Sequence, residues 1–522
     1  MSQAPASATS KSAVFAPLRI RTMTLPNRIV LPAMVTRLSG EDGLVNDDIR
    51  ARYVRYAKGH AGLIVVEAMA VHQSKSGPLL RISHDEFKPG LTDLATRCHD
   101  AGPGRVVPQI IHFLKISRSG WRQTVDMLSP ADIEEIVEAY GTAAVRAREC
   151  GFDGVELHMA HAYTLSSFLS RLNPRRDAYG GTLENRLRLP VRVVRRVRER
   201  VGEDFPVGVR FLGEECVRNG YTVADAAPIA VRLARAGVDY ISLSAGGKFE
   251  DARPIPGEPL YPYTGYSGDR CMPGSNYPDG ANLYIPEAVR AAVRAAGLET
   301  PIVAAGKIGT LELAEKVLER GQGDLIGMAR ALLADPDLPK KWRDGAADRV
   351  VRCVYGNVCK ALDENFRRVD CTLWPKKLGQ APESTDVVPP AWAAGGAQPT
   401  VEYKDGRVLL RWKAATDNEA VYGYQVMRAS GVGDGDGTSG FGILVHYASV
   451  RSATARFEDP RVIGGERYQY SVRPYDLAGN RGPVSASVSI AIPEEHVSPS
   501  ADADAAQDPG KLEACTAAGG VS

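Results

Sequence analysis

AGLIVVEAMAV, residues 61–71, indicates the fold class, because it is apolar at every position except Glu67 and does not alternate between apolar and polar residues. Such runs are typical of strands in a parallel sheet that is covered on both faces. Similar runs lie elsewhere in the first 340 residues, at 27–34, 105–112, 152–158, 205–212, 237–246, 301–307 and 323–330. Amphipathic helical stretches separate them, for example residues 129–150, where Ser129 is the expected N-cap. Eight strand–helix units predict a TIM (β/α)8 barrel, an α/β fold. A doubly wound sheet is the alternative, although no G-x-G-x-x-G motif follows the first strand.

The chain beyond Gln380 has a different composition. Residues 381–400 are rich in Pro, Ala and Gly, which indicates a linker. Short alternating runs such as RVLLRW (407–412) and YQYSVRPYD (468–476) then predict a small all-β sandwich. Trp412, Tyr424 and residues 468–485 resemble a fibronectin type III domain. The predicted organisation is a barrel domain at 14–376, a linker at 377–397, a sandwich at 398–493 and a disordered tail at 494–522.

The length, net charge and apolar stretches of the chain narrow the possible classes of function. A chain of 522 residues is expected to form two or more domains. A formal net charge of +2 argues against a nucleic-acid or membrane-surface role. No apolar stretch is long enough to span a bilayer, and residues 1–20 lack the apolar core of a signal peptide. We therefore expect a cytoplasmic protein that acts on a small-molecule substrate.

Polar residues at the strand ends carry the chemistry, because reactive groups of TIM barrels lie where strands end. Gly306 and Lys307 follow the seventh strand, and Ala329 and Arg330 follow the eighth. Their backbone N–H groups and the guanidinium predict a phosphate site, with a simple tight turn as the alternative.

Two further strands carry polar groups suited to an aromatic phosphate ligand. Gln109, on the third strand, would hydrogen-bond a ring edge through its amide. Arg210, on the fifth, would place fixed positive charge beside a ring that becomes anionic on reduction. A surface ion pair is the alternative for Arg210, but apolar residues flank it on both sides.

His158, His161 and Tyr163 lie at the end of the fourth strand and allow three interpretations. They are loop residues without a function, or metal ligands, or a pair of donors that hold a carbonyl oxygen beside a tyrosine acid. A metal site lacks a third and fourth ligand at suitable spacing. The donor interpretation is favoured, because a phenol stays protonated at neutral pH and can deliver a proton to a carbanion-like centre.

These stretches resemble the old yellow enzyme family of flavin mononucleotide (FMN) oxidoreductases, also called NADH:flavin oxidoreductases. The resemblance rests on residues 17–34, on GKIG (306–309), on residues 324–342 and above all on residues 158–186, HMAHAYTLSSFLSRLNPRRDAYGGTLENR. It covers about residues 14 to 376. It implies a TIM barrel that binds FMN and takes electrons from NADH or NADPH.

The resemblance also implies roles for individual residues. Members hold the flavin with residues that correspond here to Pro32, Ala33, Met34, Ala68, Gln109 and Arg210, and its phosphate with Gly306, Lys307, Ala329 and Arg330. His158 and His161 would hold the carbonyl oxygen of the substrate, and Tyr163 would protonate the neighbouring carbon. The expected reaction is the reduction of an activated alkene, such as an α,β-unsaturated carbonyl compound.

The sequence departs from the family pattern in several places, and one of them is QIIHFLK (109–115), which lacks the glycine and arginine that are usual after the third strand. Val35 stands where a Thr or Cys is common near the flavin O4, with Thr36 one position further, and Arg37 replaces a common aromatic residue that contacts substrate. Relatives with an iron–sulfur cluster have four cysteines after the barrel, whereas this segment has Cys353, Cys359 and Cys371, with Gly356 in place of a cysteine. Because four thiolates are normally needed, we expect no [4Fe–4S] cluster here and treat the three cysteines as a degenerate pattern.

Other readings of the chain stay open. Tyr261, Tyr263 and Tyr266 lie in a long loop after the sixth strand, and Tyr263 and Tyr266 are expected to contact substrate, with a packed surface loop as the alternative. A flavin-dependent amine or N-methyl dehydrogenase is the alternative reaction on the same fold, and a non-catalytic binding scaffold is a third. A homo-oligomer is compatible with the sequence, and the sandwich would contact either another protein or the barrel.

Overall fold

The computed structural model divides the chain into two compact units, residues 1–382 and 383–522. The residues it describes are 12–74, 77–115, 123–247, 268–275, 277–374, 386, 388–393, 398–431, 445–451, 455–460, 462–476, 478 and 480–495. The domain and linker boundaries expected from the sequence stay predictions, and the predicted tail falls almost wholly outside these residues. No helix among the described residues is both long enough and apolar enough to cross a membrane.

The first unit begins with a short antiparallel hairpin, β1 (Leu18–Ile20) and β2 (Met23–Leu25). Its apolar residues belong to a buried cluster that also contains Tyr240 and Val303 of the sheet described next. The hairpin therefore packs against the interior of that sheet.

Eight parallel strands close into a barrel, which confirms the predicted fold class. The strands are β3 (Ile29–Leu31), β4 (Leu63–Ala70), β5 (Arg105–Ile111), β6 (Val155–Met159), β7 (Val207–Glu214), β8 (Tyr240–Ala245), β9 (Ile302–Ala305) and β10 (Leu325–Gly327). They follow one another around the barrel in chain order, and β10 pairs with β3. Each corresponds to one of the apolar runs in the sequence, and nearly all of their residues are buried, as a sheet covered on both faces requires.

Helices connect these strands and continue after the last of them. They are α1 (Asp47–Lys58), α2 (Lys88–Ala101), α3 (Pro130–Glu149), α4 (Thr164–Leu169), α5 (Leu183–Val201), α6 (Val223–Arg235), α7 (Gly268–Cys271), α8 (Tyr284–Ala295), α9 (Leu311–Glu319), α10 (Ala329–Ala334), α11 (Leu338–Arg343) and α12 (Val358–Glu364). Short 3-10 helices span Asp85–Phe87, Val125–Met127 and Ala347–Arg349. The predicted N-cap of α3 is confirmed: the Ser129 hydroxyl accepts from the Asp132 backbone N–H, and the Asp132 carboxylate accepts from the Ser129 N–H.

The second unit is all-β, as predicted. Its strands are β11 (Ala391–Trp392), β12 (Thr400–Lys404), β13 (Arg407–Arg411), β14 (Ala415–Thr416), β15 (Val421–Gly431), β16 (Val445–Arg451), β17 (Arg456–Asp459), β18 (Arg467–Asp476) and β19 (Val488–Ala491). They form antiparallel sheets in the orders β11-β14, β12-β13-β17 and β16-β15-β18-β19. Trp412, Tyr424 and Tyr470 are buried in its core. The likeness to fibronectin type III domains stays a prediction.

Candidate active site

A cavity of about 1030 Å³ lies among the carboxyl-terminal ends of the barrel strands. Every described residue that the sequence predicts to contact cofactor or substrate lines it, namely Pro32, Ala33, Met34, Arg37, Ala68, Gln109, His158, His161, Tyr163, Arg210, Gly306, Lys307, Ala329 and Arg330. Tyr261, Tyr263 and Tyr266 lie outside the described residues. The fold thus brings side chains from distant parts of the sequence to one place, and their individual roles stay predictions.

The two histidine rings touch each other. His158 is on β6 and only 5% exposed, and its Nε2 atom lies 3.3 Å from Nδ1 of His161. The Nδ1 atom of His158 accepts from the backbone N–H of Ala160 at 3.2 Å, and Nε2 of His161 lies 2.8 Å from the hydroxyl of Ser244 on β8. His161 and Ala162 have φ values of 58° and 61°, so two consecutive residues without glycine adopt the left-handed conformation. Backbone strain of this kind clusters at functional sites.

Both rings are neutral at physiological pH. Burial, with the Arg210 guanidinium as a second cause, lowers the pKa of His158 to about 3. The same two causes, and His158 itself, hold the pKa of His161 well below its usual value. A neutral imidazole has one N–H donor and one acceptor nitrogen. The pair can therefore donate hydrogen bonds to an oxygen without carrying charge.

Tyr163 immediately precedes α4 and is half-buried at the wall of the cavity. Its ring stands edge-on to the ring of His158, with 5.2 Å between the centroids. A hydrogen-bond donor therefore stands beside the histidine pair, as a proton donor to a held substrate requires.

Arg210 supplies fixed positive charge on β7. It pairs in register with His158 on one side and with Ser242 on the other, and its Nη1 donates to the carbonyl oxygen of Ala33 at 3.1 Å. Its Nε is buried and makes no hydrogen bond to any residue that the structure describes. A buried donor without a partner is costly, so this nitrogen is suited to an acceptor on a bound ligand.

Gln109 is held by Glu156, a residue that the pattern of strand-end polar groups does not indicate. The Gln109 Nε2 donates to Glu156 Oε1 at 2.7 Å, and both side chains are almost fully buried. Burial raises the pKa of Glu156. One N–H and the oxygen of the Gln109 amide thus remain for a ligand. The signal for Glu156 was in the sequence, because an acid in the middle of the apolar run FDGVELH needs a buried partner.

Two cations converge at the predicted phosphate end. Tyr355, which follows the barrel, has Nζ of Lys307 and the guanidinium carbon of Arg330 at 4.6 and 4.9 Å from its ring centroid. Nη1 of Arg330 donates to the Pro273 carbonyl and to Asn357 Oδ1, at 2.8 and 2.6 Å. Nζ of Lys307 also donates to backbone carbonyls in this segment, and its burial lowers its pKa. Tyr355 and Asn357 were not expected from the sequence.

The backbone at Gly306 approaches Asn282 closely at the predicted phosphate end of the cavity. Its φ is 128°, and a Cβ atom there would lie 2.9 Å from Cβ of Asn282. Both observations require glycine, because an L side chain would be strained and would also clash.

The departures at Val35 and at Arg37 both have structural counterparts. Thr36 donates from its backbone N–H and its hydroxyl to the Glu67 carboxylate, at 2.7 and 2.6 Å, so its hydroxyl is directed at Glu67 while Val35 lines the cavity. Arg37 forms an ion pair with Asp363 at 2.7 Å and lies over the ring of Phe366. Arg37, the predicted substrate contact, is thus held by residues of the segment that follows the barrel.

The clustered cysteines lie beside the phosphate end. Cys359 and Cys371 pack against a buried apolar group that contains Leu333 and Trp374, and Cys353 Sγ accepts from the Tyr355 N–H at 3.4 Å. Within the described residues, the one set of three potential metal ligands whose ligand atoms lie within 4.8 Å of one another is instead in the second unit: Asp386, Asp417 and Asp476. The expectation that the cysteines bind no cluster stays a prediction.

FMN fits the cavity on these observations. The volume is large enough for a tricyclic ring and its phosphate chain, the buried Nε of Arg210 has no hydrogen-bond partner among the described residues, and two cations meet at one end. Amide, guanidinium and ammonium donors are the groups that bind a ring with an acceptor edge and a phosphate.

Comparison with known proteins places this geometry in a family. The sequence model of the NADH:flavin oxidoreductase / NADH oxidase family matches residues 13–259 and 282–349. The chain is 31% identical over 419 residues to an NADH oxidase of Thermoanaerobacter brockii, covering 74% of this chain and 61% of that protein. It is 30% identical over 385 residues to an N,N-dimethylglycine/sarcosine dehydrogenase of Chromohalobacter salexigens, covering 69% and 52%.

A shorter relative aligns over nearly its whole length. The chain is 35% identical over 342 residues to an NADPH dehydrogenase of Geobacillus sp. (strain WCH70), covering 62% of this chain and 92% of that protein. By contrast, the chain spans less than two thirds of the NADH oxidase and about half of the dimethylglycine/sarcosine dehydrogenase.

Proposed function

This chain belongs to the NADH:flavin oxidoreductase / NADH oxidase family, and from that membership we propose that its barrel is an FMN-dependent ene-reductase. The substrate is an activated alkene, such as an α,β-unsaturated carbonyl compound, and NAD(P)H is the electron donor. The observation that carries the proposal is the pair of neutral histidine rings beside Tyr163 and Arg210 on one cavity wall. FMN and NAD(P)H are the cofactors typical of this family.

Different residues of the cavity wall would contact the ring and the phosphate of FMN. Pro32, Ala33, Met34 and Ala68 offer backbone and small apolar surface for the ring, and Gln109 offers the remaining amide donor and acceptor. Arg210 offers its Nε, which no residue in the described part of the chain hydrogen-bonds. Gly306, Lys307, Ala329 and Arg330, which line the other end of the cavity, would hold the phosphate. Bound FMN supplies hydride exchange between NAD(P)H and the organic substrate.

The chain's own residues then orient the substrate and move a proton. His158 and His161 donate hydrogen bonds to the carbonyl oxygen, and these bonds strengthen as negative charge develops there. The Tyr163 hydroxyl donates a proton to the carbon next to the carbonyl. The rings contribute no competing charge because burial and Arg210 keep them neutral.

Replacing Tyr163 tests the proton-donor role. We expect Tyr163→Phe to slow the oxidation of the reduced enzyme by 2-cyclohexenone by two to four orders of magnitude, roughly the contribution of general acid catalysis. Reduction of the enzyme by NAD(P)H should keep its rate, because that half-reaction needs no such proton. Stopped-flow absorbance of the flavin measures both. Tyr179→Phe is the matched control, since Tyr179 does not line the cavity. Equal rates in both half-reactions would remove Tyr163 from this role.

An amine or N-methyl dehydrogenase is the second candidate, and the relative from Chromohalobacter salexigens favours it. In that reaction hydride leaves the substrate, so no oxyanion develops and a histidine pair has no oxygen to hold. Anaerobic mixing separates the two candidates. An ene-reductase is oxidised from its reduced form by enones, whereas an amine dehydrogenase is reduced from its oxidised form by secondary or tertiary amines.

Three properties of the whole protein belong to the proposal. We place it in the cytoplasm, as a homo-oligomer, with the C-terminal fibronectin-like unit as the contact to another protein or to the barrel. Low net charge supports the absence of nucleic-acid and membrane partners. Size-exclusion chromatography with light scattering measures the oligomeric state.

A further inference from the structure

The ring of Tyr163 belongs to an apolar cluster in the wall of the cavity. The other members of this cluster are Val35, Ala68, Ala70, Leu79, Ile111 and Phe113. Val35 and Phe113 line the cavity and are only partly buried, so part of their apolar surface stays accessible. An apolar surface therefore lies beside the residue that we assign as proton donor.

The side chains behind Phe113 add no charge to this surface. Its ring meets the ring of His72 edge-on, with 4.2 Å between the centroids, and His72 in turn contacts the ring of His112 at 4.5 Å. Burial lowers the pKa of His72 to about 4 and the pKa of His112 to about 3. Both imidazoles are therefore neutral at physiological pH.

Two ion pairs hold charged side chains that line the cavity. Arg37 pairs with Asp363 at 2.7 Å, and the two side chains are only 9% and 16% exposed. Lys360 and Glu364, one turn apart on α12, lie 4.0 Å from each other. All four residues line the cavity. Each charge thus has an opposite charge beside it, and the pairs add little net attraction for an ionic group on a substrate.

Arg218 is the one other charged side chain among the described lining residues, apart from these two pairs and from Arg210, Lys307 and Arg330, which we assign to FMN. Arg218 is exposed, so water and salt screen any ion pair that it makes with a substrate. A carboxylate that left water for the apolar surface would lose its hydration without a compensating partner, which is costly.

We propose that the substrate site accepts uncharged enones that carry an aryl or branched alkyl group, and that it rejects enones with an ionised group at the same place. The apolar group lies against Val35 and Phe113, beside Tyr163. Removal of apolar area from water on both partners supplies the affinity. The inference rests on the proposed function, because it needs an enone to be bound at the histidine pair.

Three ketones of one series separate the effect of apolar area from the effect of charge. They are 3-penten-2-one, 4-phenyl-3-buten-2-one and 4-(4-carboxyphenyl)-3-buten-2-one. Flavin absorbance of the oxidised, FMN-loaded full-length protein gives each Kd, because no turnover takes place without a reductant. We expect the phenyl ketone to bind about tenfold more tightly than the methyl ketone, in line with partial burial of the ring, and the carboxyphenyl ketone about tenfold more weakly than the phenyl ketone.

Replacing Phe113 tests the apolar surface itself. Phe113→Gln exchanges the ring for a polar side chain, and we expect the preference for the phenyl over the methyl ketone to fall about threefold. Phe113→Leu is the matched control, because it keeps an apolar side chain and should keep the preference. FMN content and circular dichroism of each variant report that it is folded. A wild-type preference in Phe113→Gln would overturn the role of this surface.

Replacing Asp363 tests the neutralisation of charge. Asp363→Asn keeps an oxygen acceptor for Arg37 but leaves the guanidinium without a counter-charge, so the carboxyphenyl ketone should bind about tenfold more tightly than it does to the wild type. Asp370→Asn is the matched control, because Asp370 also follows the barrel and pairs with an arginine, Arg52, but does not line this cavity. An unchanged Kd in Asp363→Asn would overturn the explanation of how ionic groups are rejected.

Reoxidation of the reduced flavin separates failure of this proposal from failure of the proposed function. If none of the three ketones binds the oxidised protein or reoxidises the reduced one, the ene-reductase function is wrong. If all three bind the wild type with equal affinity and reoxidise it, the function stands and the preference for uncharged apolar substrates is overturned.

Discussion

Glu67 is a fully buried carboxylic acid on β4, one position before Ala68 of the cavity wall. It accepts the backbone N–H and the hydroxyl of Thr36, and burial raises its pKa to about 7. These bonds fix the chain that leaves β3, where Pro32, Ala33 and Met34 line the cavity. The protonation state of the Glu67 side chain thus affects the backbone that shapes the site.

The raised pKa of Glu67 makes a prediction about stability. Its usual value is 4.5, so between pH 4.5 and about 7 the unfolded chain loses this proton while the folded chain keeps it. The folded state then binds more protons, and Glu67 makes the free energy of unfolding fall as pH rises through this window. Below the window and above it the contribution is constant.

Glu67→Gln removes this contribution, so the variant should gain stability relative to the wild type as pH rises. A shift of this size corresponds to roughly 3 kcal/mol between pH 4.5 and pH 7. Urea unfolding of both proteins across this range measures it. A difference between the two that stays constant with pH would show that Glu67 has an ordinary pKa.

Residue types at the strand ends were predictable, but their partners were not. His158 and His161 stand at the end of one apolar run, and Gln109 and Arg210 are polar residues inside two others, on strands whose ends carry the chemistry of a barrel. The partners of Gln109 and Arg210, and Ser244 beside His161, come from other strands or loops, and sequence spacing carries no information on such contacts. For example, Arg37 forms its ion pair with Asp363, which lies 326 residues further along the chain.

At the level of secondary-structure elements, the N-terminal cap of α3 depends on residues that are close in the sequence and not on tertiary contacts. Ser129 and Asp132 satisfy each other's backbone N–H groups, and Pro130 occupies the first turn. Because these bonds join residues three apart, the sequence was sufficient to predict them. The loop after β6 is the opposite case, since nothing local predicts left-handed φ values at His161 and Ala162.

Ser129→Ala should lower the free energy of unfolding by about 1 kcal/mol, through loss of the acceptor for the Asp132 N–H. Ser129→Asp is the matched control, because it keeps an oxygen acceptor and should cost a few tenths of a kcal/mol at most. Chemical denaturation followed by circular dichroism measures both. If the alanine variant were as stable as the wild type, the Ser129 hydroxyl would stabilise the helix no more than a water molecule bound to the same N–H group does.

At the scale of the whole molecule, the chain divides into two units with separate cores. Every described residue that we assign to FMN or substrate belongs to the first unit. Residues 1–382 alone should therefore fold, contain FMN and keep the wild-type dissociation constant for it, as measured by fluorescence titration. A truncated barrel that folds but fails to retain FMN would assign part of the flavin site to the second unit.

The barrel, the all-β second unit, the α3 cap and the polar residues on the barrel strands can all be inferred from the order of residues. These depend on apolar periodicity and on contacts within a few residues, which the order of residues records directly. Only the tertiary structure decided which groups hold those residues, such as Ser244 on His161, Glu156 on Gln109 and Tyr355 between Lys307 and Arg330. Closure of the barrel creates these contacts, because it brings side chains from separate strands and loops within hydrogen-bond distance of one another.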